Sequence, residues 1–248
     1  MIYTQRPRKS RSMGTRFITG ANRGLGLEFV RQYAARGDVV HACCRVPDKA
    51  GELLELAGDH EQLVVHQLDV SDFDAIDALA ASLHGVAIDT LINNAGVFGP
   101  KPQAHQDFRQ SLGHIDYEIF TEILRVNTLA PVKLSEALLE NIAAAKDRQI
   151  IGITSEAGSF VAGAHGLFAY STSKAALNRA MLNLSAVVKD RNITVIVINP
   201  GWVKTEMGGP AAVLEVEEAI AAMIEHFDQL QLSDSGKFFD YDGRIIPW

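Results

Sequence analysis

In the segment FAYSTSKAALN, Tyr170 and Lys174 stand four residues apart, so a helix here brings a phenol and an ammonium to one face. A free phenol titrates near pH 10, and a neighbouring positive charge favours its ionised form. The pair is a candidate proton donor with the cation that tunes it. The same spacing also suits a half-buried tyrosine beside a solvated lysine, so the surrounding chain has to decide. Fifteen residues before Tyr170, GITSEAGSF places Ser155 directly after an apolar run, with Thr154 and Ser159 close by. Earlier still, RVNTLAP carries Asn127, a carboxamide on what reads as the buried face of a helix. Pro131, four residues on, has no N–H for the Asn127 carbonyl. That leaves either a free acceptor suited to holding a water or a simple kink.

A second group of residues has the chemistry of a phosphate site. FITGANRGLGLEF runs from an apolar strand through a glycine turn into a helix, with Gly20, Gly24 and Gly26 at the turn. Glycine permits positive φ and close backbone approach, and the helix N-terminus presents free N–H groups to an anion. Asn22, Arg23 and Leu25 fill the turn and join it as candidate cofactor contacts. An acid at the end of the next strand would accept from the ribose 2′-hydroxyl of NAD. Here that strand ends HACCRVPDK: Asp38 lies at its wrong end and Asp48 follows a proline. Arg45, with Arg23, is placed instead to clasp a 2′-phosphate by charge-assisted hydrogen bonds. This favours NADP(H) over NAD(H). Asp69 and Val70 follow the third strand and suit the adenine edge, while Asn94, Ala95 and Gly96 follow the fourth and let a flat ring lie against the backbone. Asn94 equally suits a capping role in its own turn.

These residues need a scaffold that collects strand ends. The runs RFIT, VVHACC, LVVHQL, IDTLIN, QIIGIT, ITVIVIN and GKFFD read as strands that are apolar throughout, the pattern of a parallel sheet covered on both faces. Helical periodicity fills the intervals over Leu25–Arg36, about Pro47–Ala57, Asp72–Leu83, Tyr117–Glu140, Phe168–Asp190 and Leu214–Leu230. Strand and helix in alternation predict an α/β, doubly wound, seven-stranded parallel sheet with helices on both faces. Such sheets bind ligands at the carboxyl ends of their strands. No linker interrupts the pattern, so residues 15–248 are expected to form one domain, preceded by a basic, disordered leader over 1–14.

The 248 residues are 47% apolar and carry a net charge of −7, with five basic residues and no acid before position 17. The remaining body has 18 basic against 30 acidic residues, −12, which repels nucleic acid. Apolar runs are too short for a membrane span. Adjacent Cys43 and Cys44 cannot staple distant segments and read as reduced thiols, in keeping with a cytoplasmic location. His105, His114 and His165 lack metal-ligand spacing, and no metal is expected.

TGANRGLG, NNAG, Asn127, Ser155, the Tyr170–Lys174 pair and INPGWVKT occur in the order seen in the short-chain dehydrogenase/reductase (SDR) family, which the chain resembles over residues 15–248. Its glycine-rich PGWVKTEMGGP and its ending SGKFFDYDGRIIPW are similar to the C-factor/sniffer group of carbonyl-reductase-like members. The resemblance implies a single-domain Rossmann fold and reduction of an aldehyde or ketone to an alcohol. It implies Tyr170 as general acid, Lys174 as its tuning cation, Ser155 on the substrate oxygen and Asn127 holding a relay water. It adds Pro200, Gly201, Val203 and Thr205 as contacts to the nicotinamide carboxamide and pyrophosphate. It further implies a homodimer or homotetramer; charge and hydropathy already argue against a nucleic-acid or membrane partner. A dinucleotide-binding signalling protein of C-factor type and an NAD-dependent alcohol dehydrogenase are the alternatives. The Ser155–Tyr170 interval is two residues longer than the family's commonest spacing, and Glu156 is an unusual charge beside a reacting oxygen, expected to face solvent. Phe98, Phe160, Phe168 and Trp202 are candidate apolar walls, although core packing is the commoner fate of such residues. Thr172 and Ser173 read as helix packing or surface, and Asn178 and Arg179 as helix packing or subunit contact.

Overall fold

A computed structural model describes residues 13–101, 106–163 and 166–248. The first twelve residues of the expected leader, and His105 and His165, lie outside these. Seven strands form one parallel sheet in the order β3-β2-β1-β4-β5-β6-β7: β1 Thr15–Thr19, β2 Val39–Cys44, β3 Leu63–Gln67, β4 Thr90–Asn93, β5 Gln149–Ile153, β6 Thr194–Asn199 and β7 Phe238–Asp240. The winding reverses between β1 and β4, so their ends diverge into the crevice where such sheets take ligands.

Helices α1 (Gly24–Ala35), α2 (Gly51–Asp59) and α8 (Val216–Gln229) cover one face, burying Phe29, Tyr33, Leu53, Ile220 and Phe227 against alternate strand residues such as Ile18 and Ile92. On the other face lie α3 (Phe73–Ser82), α4 (Tyr117–Leu124), α5 (Ala130–Ala137), α6 (Leu139–Ala143) and α7 (Phe168–Val187). There Ile76, Leu134, Ile142, Leu177 and Met181 pack on Phe17, Leu91 and Ile150. Asp72 and Asp116 cap α3 and α4, accepting from Ala75 N and from Glu118 and Ile119 N.

The expected helix over Tyr117–Glu140 is not continuous. Between α4 and α5 the chain makes a π-helical turn, Arg125–Leu129, closed by Ala130 N–H donating to the Arg125 carbonyl. Pro131, unable to donate, starts the next regular segment at its tolerated N-terminal position. The wider turn carries Asn127, and such turns recur at functional sites.

Under the N-terminal ends of the strands, Arg16 is buried, although it belongs by charge to the basic leader segment. Its Nη2 and Nε bond Asp38 Oδ1 at 3.0 and 3.1 Å, its Nη1 donates to Thr90 Oγ1 at 2.7 Å, and it lies over the Tyr33 ring. Asp38, at the wrong end of β2 for a ribose, thus has a structural partner. Arg16→Met leaves the buried Asp38 carboxylate only the longer Arg36 contact at 3.7 Å and the Gly14 N–H, and is expected to lower unfolding free energy by about 3 kcal/mol in urea denaturation. A midpoint unchanged from the parent would refute that role.

Candidate active site

The glycine turn joins β1 to α1. Gly20 and Gly24 adopt φ of +64° and +53°. A Cβ at Gly26 would fall 2.1 Å from the Gly20 carbonyl oxygen, so only glycine lets the first turn of α1 fold this tightly. The N-cap residue Arg23 caps nothing with its side chain and no acid occupies the first turn. The N–H groups of that turn therefore remain available to an anion.

At the end of β4, Asn94 Nδ2 donates to the Thr19 and Gly20 carbonyls at 2.8 and 3.2 Å, and Thr19 Oγ1 accepts from Asn94 N and Ala95 N. The Asn94 carboxamide thus locks the two strand ends together. Beyond it, Gly96 lies between two catalytic candidates: a Cβ there would sit 3.3 Å from Asn127 Oδ1 and 3.6 Å from Lys174 Nζ. Asn127 is buried and pairs with both backbone groups of Val97, accepting from its N–H and donating to its carbonyl at 2.8 Å each. Its second amide hydrogen goes to Ser173 Oγ at 2.9 Å.

Helix α7 is fixed by polar contacts along one buried line. Lys174 Nζ donates to the Ile153 carbonyl at the end of β5 at 2.9 Å. Asn178, one turn further, accepts from Thr154 Oγ1 at 2.7 Å and donates to the Gly158 carbonyl. Ser159 donates to the Pro247 carbonyl. Thr154 and Ser159 are thereby engaged elsewhere. Ser155 alone of the three acts on the Tyr170 phenol, its hydroxyl working against the upward push of burial. Its side chain also accepts from Ala157 N, opening a short 3-10 turn over Glu156–Gly158. Glu156 on that turn is exposed, as expected.

Burial pushes the Tyr170 phenol above its ordinary value, and the bond to Ser155 opposes this only in part. Burial pulls the Lys174 ammonium down to about 8. Lys174 Nζ lies 5.8 Å from the Tyr170 ring centroid. The expectation that lysine brings the phenol towards neutrality is not met here: desolvation dominates at both groups. The ammonium is positioned to favour a phenolate once one forms.

Arg45 is exposed at the end of β2, with Asp69 close enough to feel its charge. Burial works against the Asp69 carboxylate, yet the Ser71 hydroxyl and N–H outweigh it and hold the carboxyl below its ordinary range. Arg23 instead reaches across to Glu206, Nη1 to Oε2 at 2.5 Å. Lys101 Nζ donates to the Glu206 and Met207 carbonyls at 3.1 and 2.9 Å. Val203 is buried, and Thr205 lies beside Gly24. Pro200 and Gly201, at φ +78°, turn the chain out of β6. The four aromatic wall candidates are not core: Phe160, Trp202 and Phe168 are exposed, while half-buried Phe98 lies over Tyr170 with ring centroids 4.5 Å apart. Asn178 and Ser173 serve positioning roles that a reading as helix packing understates; their signal is polarity on an otherwise apolar helix face.

The uncapped N-terminus of α1 and the glycine cradle fit a dinucleotide pyrophosphate at this crevice. A family model for short chain dehydrogenases matches residues 15–213. The chain belongs to the short-chain dehydrogenase family. The C-signal protein of Myxococcus xanthus is 35% identical to this dehydrogenase over 172 residues, 69% of this chain and 99% of that protein. Carbonyl reductase Sniffer of D. melanogaster is 30% identical, with a TM-score of 0.84 over 96% of this chain and all of that one. The NADPH-bound carbonyl reductase from chicken fatty liver is 32% identical, with a TM-score of 0.85 over the same shares. Among the described residues of this dehydrogenase, no helix is long and apolar enough to cross a membrane.

Gly26→Ala is expected to weaken dinucleotide binding at least about tenfold by calorimetry, and to cost about 1–3 kcal/mol of stability as the turn shifts. Binding within twofold of the parent would contradict the cradle.

Proposed function

We propose that this dehydrogenase is an NADPH-dependent carbonyl reductase in which Tyr170 protonates the substrate oxygen. The observation that carries the reading is the buried Tyr170 phenol with the Ser155 hydroxyl acting on it and the buried Lys174 Nζ 5.8 Å from its ring centroid, at the strand ends that flank the β1–β4 crevice. Reducing an aldehyde or ketone needs a hydride at carbon and a proton at oxygen. The nicotinamide supplies the hydride when bound. Tyr170, held protonated across the neutral range by burial, supplies the proton, and Ser155 orients the same oxygen. The phenolate left behind is favoured by the positive charge of the neighbouring Lys174 ammonium. Asn127 fixes Val97 and the approach to Gly96, and so keeps the lysine and the cleft in register.

The residues named above would hold the cofactor. The turn from Gly20 to Gly26, with Asn22 and Leu25, takes the pyrophosphate, and Asp69 and Val70 take the adenine. Ala95, Gly96, Pro200, Gly201, Val203 and Thr205 flank the nicotinamide. Arg45, at the end of a strand lacking the ribose-binding acid, is assigned the 2′-phosphate. The NADPH-bound chicken reductase supports this choice over NAD(H). Buried free Cys43 and Cys44 accord with a reducing, cytoplasmic setting. A homodimer or homotetramer is proposed, to be checked by light scattering.

The likeness to C-signal favours one second reading, a dinucleotide-binding signalling role. A Tyr170→Phe variant that still complements a deletion would select it.

For the reductase reading, Tyr170→Phe should lower carbonyl-dependent NADPH oxidation by at least about a hundredfold, the scale of general-acid catalysis, while leaving the NADPH Kd nearly unchanged. Arg45→Ala should weaken NADPH by roughly tenfold and NADH hardly at all, because a charge-assisted bond to phosphate is lost. Because the Lys174 ammonium is present below about pH 8 and lost above it, kcat/KM for reduction should decline as pH rises through that value. A profile flat to pH 10 would exclude the ammonium from the reaction.

A further inference from the structure

Helix α7 begins without a cap of its own, since Leu167 at its N-cap has no polar side chain to offer. The Tyr170 N–H in its first turn is nevertheless satisfied by Gln110 Oε1 at 2.9 Å, across sixty residues of chain. Gln110 is wholly buried in the irregular segment between β4 and α4. Both hydrogens of its amide are directed at one loop, Nε2 donating to the Phe98 and Pro100 carbonyls at 2.8 Å each. Two carbonyls separated by one residue converge on a single nitrogen because Gly99 between them adopts φ +79°; a Cβ there would lie 2.5 Å from Ile123 Cδ1. The Gln110 carbonyl also accepts from Phe168 N. One side chain therefore holds the helix turn that carries Tyr170 and the loop that carries Phe98, the ring lying over that tyrosine.

We propose that Gln110 is a positioning residue for carbonyl reduction: it fixes the Phe98 ring relative to the Tyr170 hydroxyl and so decides which face of a prochiral ketone meets the cofactor. The role rests on the reductase reading of Tyr170. Gln110 acts through its two neighbours and touches no reacting atom. A rigid wall beside the acid restricts the carbonyl to one orientation, and a displaced wall admits both.

Two substitutions separate the two halves of the contact. Gln110→Met removes the acceptor and the donors together. Gln110→Glu keeps an oxygen for Tyr170 N but turns another towards two carbonyls, and so drives off the Phe98–Pro100 loop alone. In cofactor-free protein, hydrogen exchange at the Tyr170 amide should accelerate about tenfold in Gln110→Met and change little in Gln110→Glu. With an aryl alkyl ketone and NADPH, both variants should lower the enantiomeric ratio of the alcohol by about tenfold, with the NADPH Kd held within twofold. Gly99→Ala keeps the glutamine but forces the loop off it, its Cβ falling 2.5 Å from Ile123 Cδ1 and 3.1 Å from Gln110 Nε2, and should lower the ratio equally if Gln110 variants fail to fold. A folded Gln110→Glu or Gly99→Ala protein with the parent's enantiomeric ratio overturns the proposal. A parent inert towards every carbonyl sinks the reductase reading and this role with it. A parent that reduces ketones while its variants keep their selectivity sinks this role only.

Discussion

One threonine and one asparagine tie the end of β1 to the end of β4, where the sheet changes direction. Thr19 Oγ1 receives two backbone N–H groups from the β4 side, and Asn94 returns its amide to two carbonyls on the β1 side. Neighbouring strands whose continuations leave in opposite directions tend to open a gap, and an open gap exposes backbone groups that must find partners. Here the side chains provide them. The glycine turn and the Gly96 loop face each other at a fixed separation as a result, and every other part of the site is measured from that seam.

The second half of the site hangs from α7. Its buried line of Ser173, Lys174 and Asn178 bonds, in order, to the π-turn of Asn127, the end of β5 and the loop bearing Ser155. Each of these bonds satisfies a group that would otherwise be buried unpaired, so the helix cannot rotate or slide without a large penalty. Tyr170 inherits that rigidity at one end of the line, and Gln110 extends it to the loop of Phe98. On the proposed reductase reading that phenol donates along a short path to a substrate oxygen, and such a donor needs this kind of support.

The strands were legible because a doubly covered parallel sheet makes them uniformly apolar, and the residues after them were legible because chemistry collects at strand ends. Tyr170, Lys174 and Ser155 come together as their motif suggests. Other features depended on distance in space. Pro131 marks where the helix after β4 is disturbed, but only the three-dimensional packing decides that the disturbance becomes a π-turn aiming Asn127 at Val97. Arg16 looks like one more charge in a basic leader until β2 and β4 bring Asp38 and Thr90 beneath it. Arg23 and Arg45 read alike in sequence and both are exposed, yet Glu206, far along the chain, pairs with the first. Gln110 has no periodic setting at all, so its burial and its three bonds could not be read from its neighbours.

Lys174 also has a bearing on the thermodynamics of the whole fold. An unfolded lysine keeps its proton to about pH 10.4, whereas the folded side chain releases it near 8. Between these values the unfolded chain binds the extra proton, so folding grows more favourable as pH rises through the window. Below it both states are protonated and the full penalty of a buried ammonium applies, on the order of 3 kcal/mol. That is a sizeable share of the margin by which an ordinary domain stays folded. The molecule is thus weakest, on this account, at the pH where its ammonium is present. On the proposed reading, keeping a charged group there exchanges fold stability for proton chemistry.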